Sequence, residues 1–139
     1  MIRAVVDTNV LSSGLARSTG SPRIVIDLWT DEAFELVVSE HILTELERTL
    51  ANRYFQNLIS QTEASDMVNK LRQKAMVTPL SSQVSGVATH PEDDLVLATA
   101  VSGNAQFLVT GDRQLLKLRD YKGIRIVDAA EFLVIVLSI

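Results

Sequence analysis

Ile2-Arg3-Ala4-Val5-Val6-Asp7 is a short run rich in β-branched residues, closed by a carboxylate. Its length and composition predict a buried strand, Ile2 to Val6, with Asp7 at its end. Asn9 to Ala16 follows as a short helix, ended by a turn over Arg17–Gly20. Pro22 suits the first turn of a second helix, Ser21 to Glu32, and Phe34 to Val38 reads as a second strand. Ser39 is placed to cap a helix from Glu40 to about Arg53, with Ile42, Leu43, Leu46 and Leu50 at helical spacing.

The same alternation continues. Thr62 to Met76 is expected to be helical, with Ala64, Met67, Val68, Leu71 and Ala75 as its apolar stripe. Val77 to Leu80 reads as a short strand before a polar loop, Ser81 to Thr89. Pro91 opens a helix to about Ser102. Phe107 to Thr110 is a strand, Arg113 to Leu118 a short helix and Ile124 to Val127 a last strand. Asp128 with Glu131 resembles a capping box at the start of a terminal helix. Strands separated by helices imply parallel pairing, with helices on both faces. The expected fold is α/β: one three-layer α/β/α sandwich with a central, mainly parallel sheet, occupying residues 1–139 as a single domain.

Composition supports this and narrows the function. The chain has 139 residues, 47% of them apolar, enough for one core and too apolar for disorder. It has no cysteine, which excludes a disulfide scaffold, a thiolate zinc site and thiol catalysis. The first apolar run is too short for a signal peptide. Phe132 to Ile139 falls far below the ~20 residues of a membrane span. A soluble, cytoplasmic protein with no membrane association is expected. The net charge of −4 argues mildly against a nucleic-acid ligand, unless acids are neutralised by bound cations.

The position of the acids is the informative feature. Ligands of open parallel sheets sit beyond the carboxyl ends of the strands. Asp7 ends the first strand, and Asp112 follows Phe107–Thr110 after one glycine. Glu45 lies about 8 Å along a helix that starts at the same edge. Asp93 and Asp94 lie in the first turn of the helix that feeds the Phe107 strand, so they belong to that edge too. Carboxylates crowded together raise one another's pKa values and oppose folding. A hard divalent cation removes that cost, and oxygen-only ligands suit Mg²⁺ or Mn²⁺. Such a site activates water and stabilises the leaving oxygen of a phosphodiester.

Four stretches now resemble the PIN-domain family: Val5-Val6-Asp7-Thr8-Asn9-Val10-Leu11, Val38-Ser39-Glu40-His41-Ile42-Leu43-Thr44-Glu45-Leu46, Pro91-Glu92-Asp93-Asp94-Leu95-Val96-Leu97-Ala98-Thr99-Ala100 and Phe107-Leu108-Val109-Thr110-Gly111-Asp112-Arg113. Each is weak alone; the ordered set covers nearly the whole chain. The resemblance implies a Mg²⁺- or Mn²⁺-dependent endoribonuclease. Asp7, Glu45, Asp93 and Asp112 match the family acids, with Asp94 as a further metal candidate. The subgroup it resembles is the toxin component of toxin–antitoxin pairs, which implies a homodimer held by a cognate antitoxin. His90 stands where these relatives usually carry an acid.

Each of these residues has a plainer reading. Asp7 and Asp112 can simply cap the helices that follow them, and Asp93 or Asp94 can complement a helix dipole. Asn9, Thr8 and Thr110 are supporting candidates with ordinary turn or strand roles. Gly111 is expected to supply a positive φ or backbone clearance. His90 reads as a surface or capping residue and His41 as exposed. Arg113 and Lys117 head a basic stretch, Arg113 to Arg125, that either meets RNA phosphates or is a solvated surface. Trp29, Tyr54 and Phe55 fit packing better than base stacking. The terminal apolar run is expected to pack on the sheet or on a partner subunit. Two other functions compete: a catalytically silent RNA- or protein-binding module of the same fold, and a phosphatase of the haloacid dehalogenase type, in which Asn9 departs from Asp-x-Asp. No Gly-x-Gly-x-x-Gly follows the first strand, which disfavours a dinucleotide site.

Overall fold

The opening run forms strand β1 (Arg3–Val6) at the centre of the sheet. Ala4, Val5 and Val6 are at most 1% exposed. Successive strand residues face opposite sides, so both faces of β1 are covered. The computed structural model describes residues 1–139. After β1 come α1 (Thr8–Ala16), α2 (Ser21–Thr30), β2 (Glu35–Val38), α3 (Glu40–Leu50), α4 (Arg53–Gln56), α5 (Gln61–Lys74) and β3 (Met76–Val77). They are followed by α6 (Pro91–Ser102), β4 (Phe107–Val109), α7 (Arg113–Leu118), β5 (Asp120–Tyr121), β6 (Ile124–Val127) and α8 (Ala129–Leu137).

The sheet order is β3-β2-β1-β4-β6-β5, parallel except for the β5–β6 pair. Val5 is in register with Val37 of β2 and Leu108 of β4. From β1 the chain winds outward through β2 and β3, returns through α6 to β4, and then winds the other way to β6. The direction reverses between β1 and β4, which makes their carboxyl ends the switch point where α/β sheets bind ligands. Asp7 and Asp112 follow these two strands.

The α/β layout agrees with the sequence, and the differences are local. The helix expected to reach Arg53 stops at Leu50, because Asn52 turns its side chain onto Phe55 N and starts α4. A full capping box, Ser60 with Glu63, starts α5. That helix ends at Lys74 rather than Met76, because Met76 pairs with Val37. β3 does not extend to Leu80; Thr78 N still reaches Val38 O at 2.9 Å, but Pro79 has no N–H to continue the ladder. The antiparallel strand β5 was not expected. It exists because Lys122 (φ 49°) and Gly123 (φ 82°) form a two-residue hairpin turn with both φ positive.

One core of 31 buried residues joins the strands to the helices. Asp128 caps α8 through Glu131 N. Fully buried Phe132 stands edge-on to Phe34 and Phe107, with centroids 4.9 and 5.9 Å away. The terminal helix therefore packs on the core through one face, while Val134, Leu137 and Ile139 remain exposed. No helix is long and apolar enough to cross a membrane.

Candidate active site

Asp7 is fixed from several directions. Its N–H donates to Val109 O at 2.8 Å, which extends the β1–β4 pairing by one bond. Its Oδ1 accepts from Thr8 N at 2.8 Å and so caps α1. Its Oδ2 accepts from Thr110 Oγ1 at 2.9 Å and from Asn9 Nδ2 at 3.4 Å. The capping role and a site role are thus compatible in one side chain. Burial pushes the Asp7 carboxyl above its ordinary 3.8; the Thr110 and Thr8 hydrogen bonds oppose this, and the charges of Glu45 and Asp112 add to it.

Thr110 joins the two strand ends. The same hydroxyl oxygen accepts from Asp112 N at 3.0 Å. Asp112 Oδ1 then accepts from Gln114 N and Leu115 N, capping α7. Asn9 Oδ1 accepts from Gly111 N at 2.9 Å, which fixes the orientation of its amide. Gly111 has no positive φ, contrary to one expectation. A methyl group there would stand 3.4 Å from Asn9 Oδ1, in ordinary contact with it.

Glu45 arrives on α3 and Asp93 on α6. The buried hydroxyls of Ser39, at the cap of α3, and Thr99, in α6, are 2.8 Å apart and tie the two helices together. Burial raises the Asp93 carboxyl first; the charges of Asp112 and Asp7 raise it further, His90 draws it down, and Asp94 raises it slightly. Asp7, Glu45, Asp93 and Asp112 therefore share one electrostatic neighbourhood at one rim.

They do not close into a finished cage. No three Asp, Glu or His side chains stand close enough together to hold an ion as they lie. The ready-made pocket expected from sequence is replaced by a looser rim. Asp7 gives both oxygens to protein donors. The donor chemistry still suits a hard cation: the four acids offer carboxylate oxygens, and the Thr8 hydroxyl, next in sequence to Asp7, is buried without a partner.

A sequence model of the PIN domain matches residues 3–114, a span that contains all four acids. The chain belongs to the PIN-domain family. Solved structures share the fold at low identity. VapBC2 from Rickettsia felis, bound to a DNA fragment from their promoter, is 14% identical, covering 90% of this chain and 97% of its own, with a TM-score of 0.61. PAE2754 from Pyrobaculum aerophilum is 22% identical, with coverages of 99% and 91% and a TM-score of 0.65. DNA-bound VapBC from Salmonella typhimurium is 19% identical, with coverages of 93% and 99% and a TM-score of 0.61. No curated protein matches the chain.

Around this PIN-domain rim, other candidates are sorted by their contacts. Asp94 is 5% exposed, and its two oxygens accept from Ala88 N at 2.7 Å and Gly86 N at 3.0 Å. It clasps the preceding loop. His90 is exposed and makes no side-chain cap; its carbonyl accepts from Asp93 N and Asp94 N. His41 is not exposed as expected: its side chain is 17% accessible and lies 3.3 Å from Glu45 Oε2.

Arg113 and Lys117 are exposed on α7, Arg113 directly beside Asp112. The rest of the basic stretch leaves the rim. Arg125 stacks on Phe107, which starts β4 and so lies at the far end of that strand from Asp112. Trp29 is buried in the core, and Tyr54 is exposed and accepts from Arg17 Nη2 at 2.9 Å. Phe55 packs against the core edge. One acid was read from sequence only as a cap. Asp128 follows β6 onto the same edge and lines a cleft of about 370 Å³ with Asn9, Thr110 and Gly111. The available signal was its place directly after a strand.

Proposed function

We propose that this protein is a metal-dependent endoribonuclease that hydrolyses RNA phosphodiester bonds at the rim formed by Asp7, Glu45, Asp93 and Asp112. The observation that carries this reading is the shared field of these carboxylates, in which Glu45 and Asp112 act on Asp7, and Asp112 and Asp7 act on Asp93. Carboxylates crowded in this way oppose folding, and a bound divalent cation offsets that cost. Bound there, Mg²⁺ or Mn²⁺ supplies water activation and charge neutralisation at the phosphodiester.

The chain's own residues supply the placement. Thr110, Thr8 and Asn9 hold the Asp7 carboxylate, and Thr110 also sets the backbone of Asp112. Arg113, and more distantly Lys117, offer cations to substrate phosphates beside an otherwise acidic rim. The family resemblance, and fold neighbours that include VapBC assemblies, support a toxin of a toxin–antitoxin pair, cytoplasmic and homodimeric, with a cognate antitoxin as partner.

The test is cleavage of a structured RNA by purified protein with Mg²⁺. Cleavage that stops with EDTA and is lost in Asp7→Asn supports the nuclease. The absence of a closed cage favours one rival, a silent binding module of the same fold. That module would shift RNA or protein in a gel and leave the RNA whole with any divalent cation.

A further inference from the structure

We propose that His41 is a positioning residue for Glu45, holding one carboxylate oxygen so that the other is presented to a cation at the rim. This rests on the nuclease reading above. His41 and Glu45 are one helical turn apart on α3, with Nε2 3.3 Å from Oε2. The ring nitrogen is buried and has no partner in hydrogen-bond geometry. The pair is thus within ion-pair reach but off the alignment of a hydrogen bond.

A buried ring nitrogen must find a partner, because water cannot reach it. Its paired neighbour is the Glu45 carboxylate. A small rotation of Glu45 aligns the two, whether the imidazole is charged or neutral with its proton on Nε2. Both side chains are mostly shielded, 17% and 27% exposed, so solvent competes weakly for the bond. Metal-binding carboxylates are commonly steadied by such a second hydrogen bond, and its removal weakens metal binding.

The experiment is a Mn²⁺ titration followed by the electron paramagnetic resonance of free Mn²⁺, with melting curves to confirm folding. His41→Phe fills the space without a donor and is expected to weaken Mn²⁺ binding about tenfold or more. His41→Gln, whose amide N–H reaches as far, is expected to recover most of that loss. In a Glu45→Gln background, His41→Phe should add little, because the pair acts as one unit. Should His41→Phe fail to fold, His41→Asn, with an amide too short to reach, takes its place. Wild-type affinity in His41→Phe, or an equal further loss on top of Glu45→Gln, overturns the proposal while leaving the nuclease reading intact. Failure of the wild-type protein to bind Mn²⁺ overturns both.

Discussion

Thr110 Oγ1 donates to Asp7 Oδ2 across 2.9 Å, joining residues 103 positions apart in the chain. The hydroxyl oxygen also accepts from Asp112 N. One side chain thus sets the distance between the ends of β1 and β4 and the carboxylates that follow them. Thr110→Val keeps the shape, leaves Asp112 N without its acceptor and leaves Asp7 Oδ2 only the longer bond from Asn9. It is expected to cost about 1–3 kcal/mol, read as a lower urea midpoint, and to lower RNA cleavage more than the stability loss explains.

Burial and its acidic neighbours hold Asp7 above 3.8 in the folded protein. A raised carboxyl keeps its proton in the folded chain where the unfolded chain sheds it. Its stabilising effect is complete below the unfolded value and is lost as pH rises through the folded one. Asp93 contributes in the same direction. Without metal, Asp7→Asn should therefore gain on the wild type as pH rises from the ordinary carboxylate range through the raised folded value. Urea denaturation across that range checks it; a constant difference would refute the burial argument.

A cation that binds only the folded rim stabilises by mass action. Mn²⁺ at about 100 times its dissociation constant should add about 2.7 kcal/mol. Excess EDTA should remove the gain, and Asp112→Asn should abolish most of it. Thermal unfolding with and without Mn²⁺ is the measurement.

Asp94 separates from Asp93 in kind. Asp94→Ala leaves Gly86 N and Ala88 N without their acceptors. It should cost about 1–3 kcal/mol and speed proteolysis of the 81–90 loop. Mn²⁺ affinity should change little. Asp93→Asn should do the reverse, weakening Mn²⁺ while holding or raising stability.

Most of the fold was legible because its strands are apolar runs ended by turns. Val5-Val6-Asp7 and Leu108-Val109-Thr110 carry the strand and its end in one short stretch. What escaped depends on partners distant in sequence or on very short elements. β5 has two residues and lives on the φ of its turn. The end of α3 depends on how Asn52 turns its side chain. The rim acids were placed by strand order: Asp7 and Asp112 follow strands, while Asp93 and Glu45 lie in the first and second turns of helices that start at the same edge. Their failure to close was not legible, because side-chain rotation leaves no trace in spacing. His41 reads as an ordinary surface histidine until the packing around α3 covers Nε2. Asp94 and Asp93 are adjacent and alike in sequence, and only the path of the 86–88 backbone assigns them different work.

Mn²⁺ binding in Asp7→Asn compared with wild type, with RNA cleavage followed in the same samples, bears on the whole account. One shared cation site at the rim predicts that the wild type binds Mn²⁺ and cuts RNA, and that this single substitution removes the cleavage and weakens the binding at least tenfold. Undiminished cleavage in Asp7→Asn, or cleavage by the wild type that persists in EDTA, would contradict it.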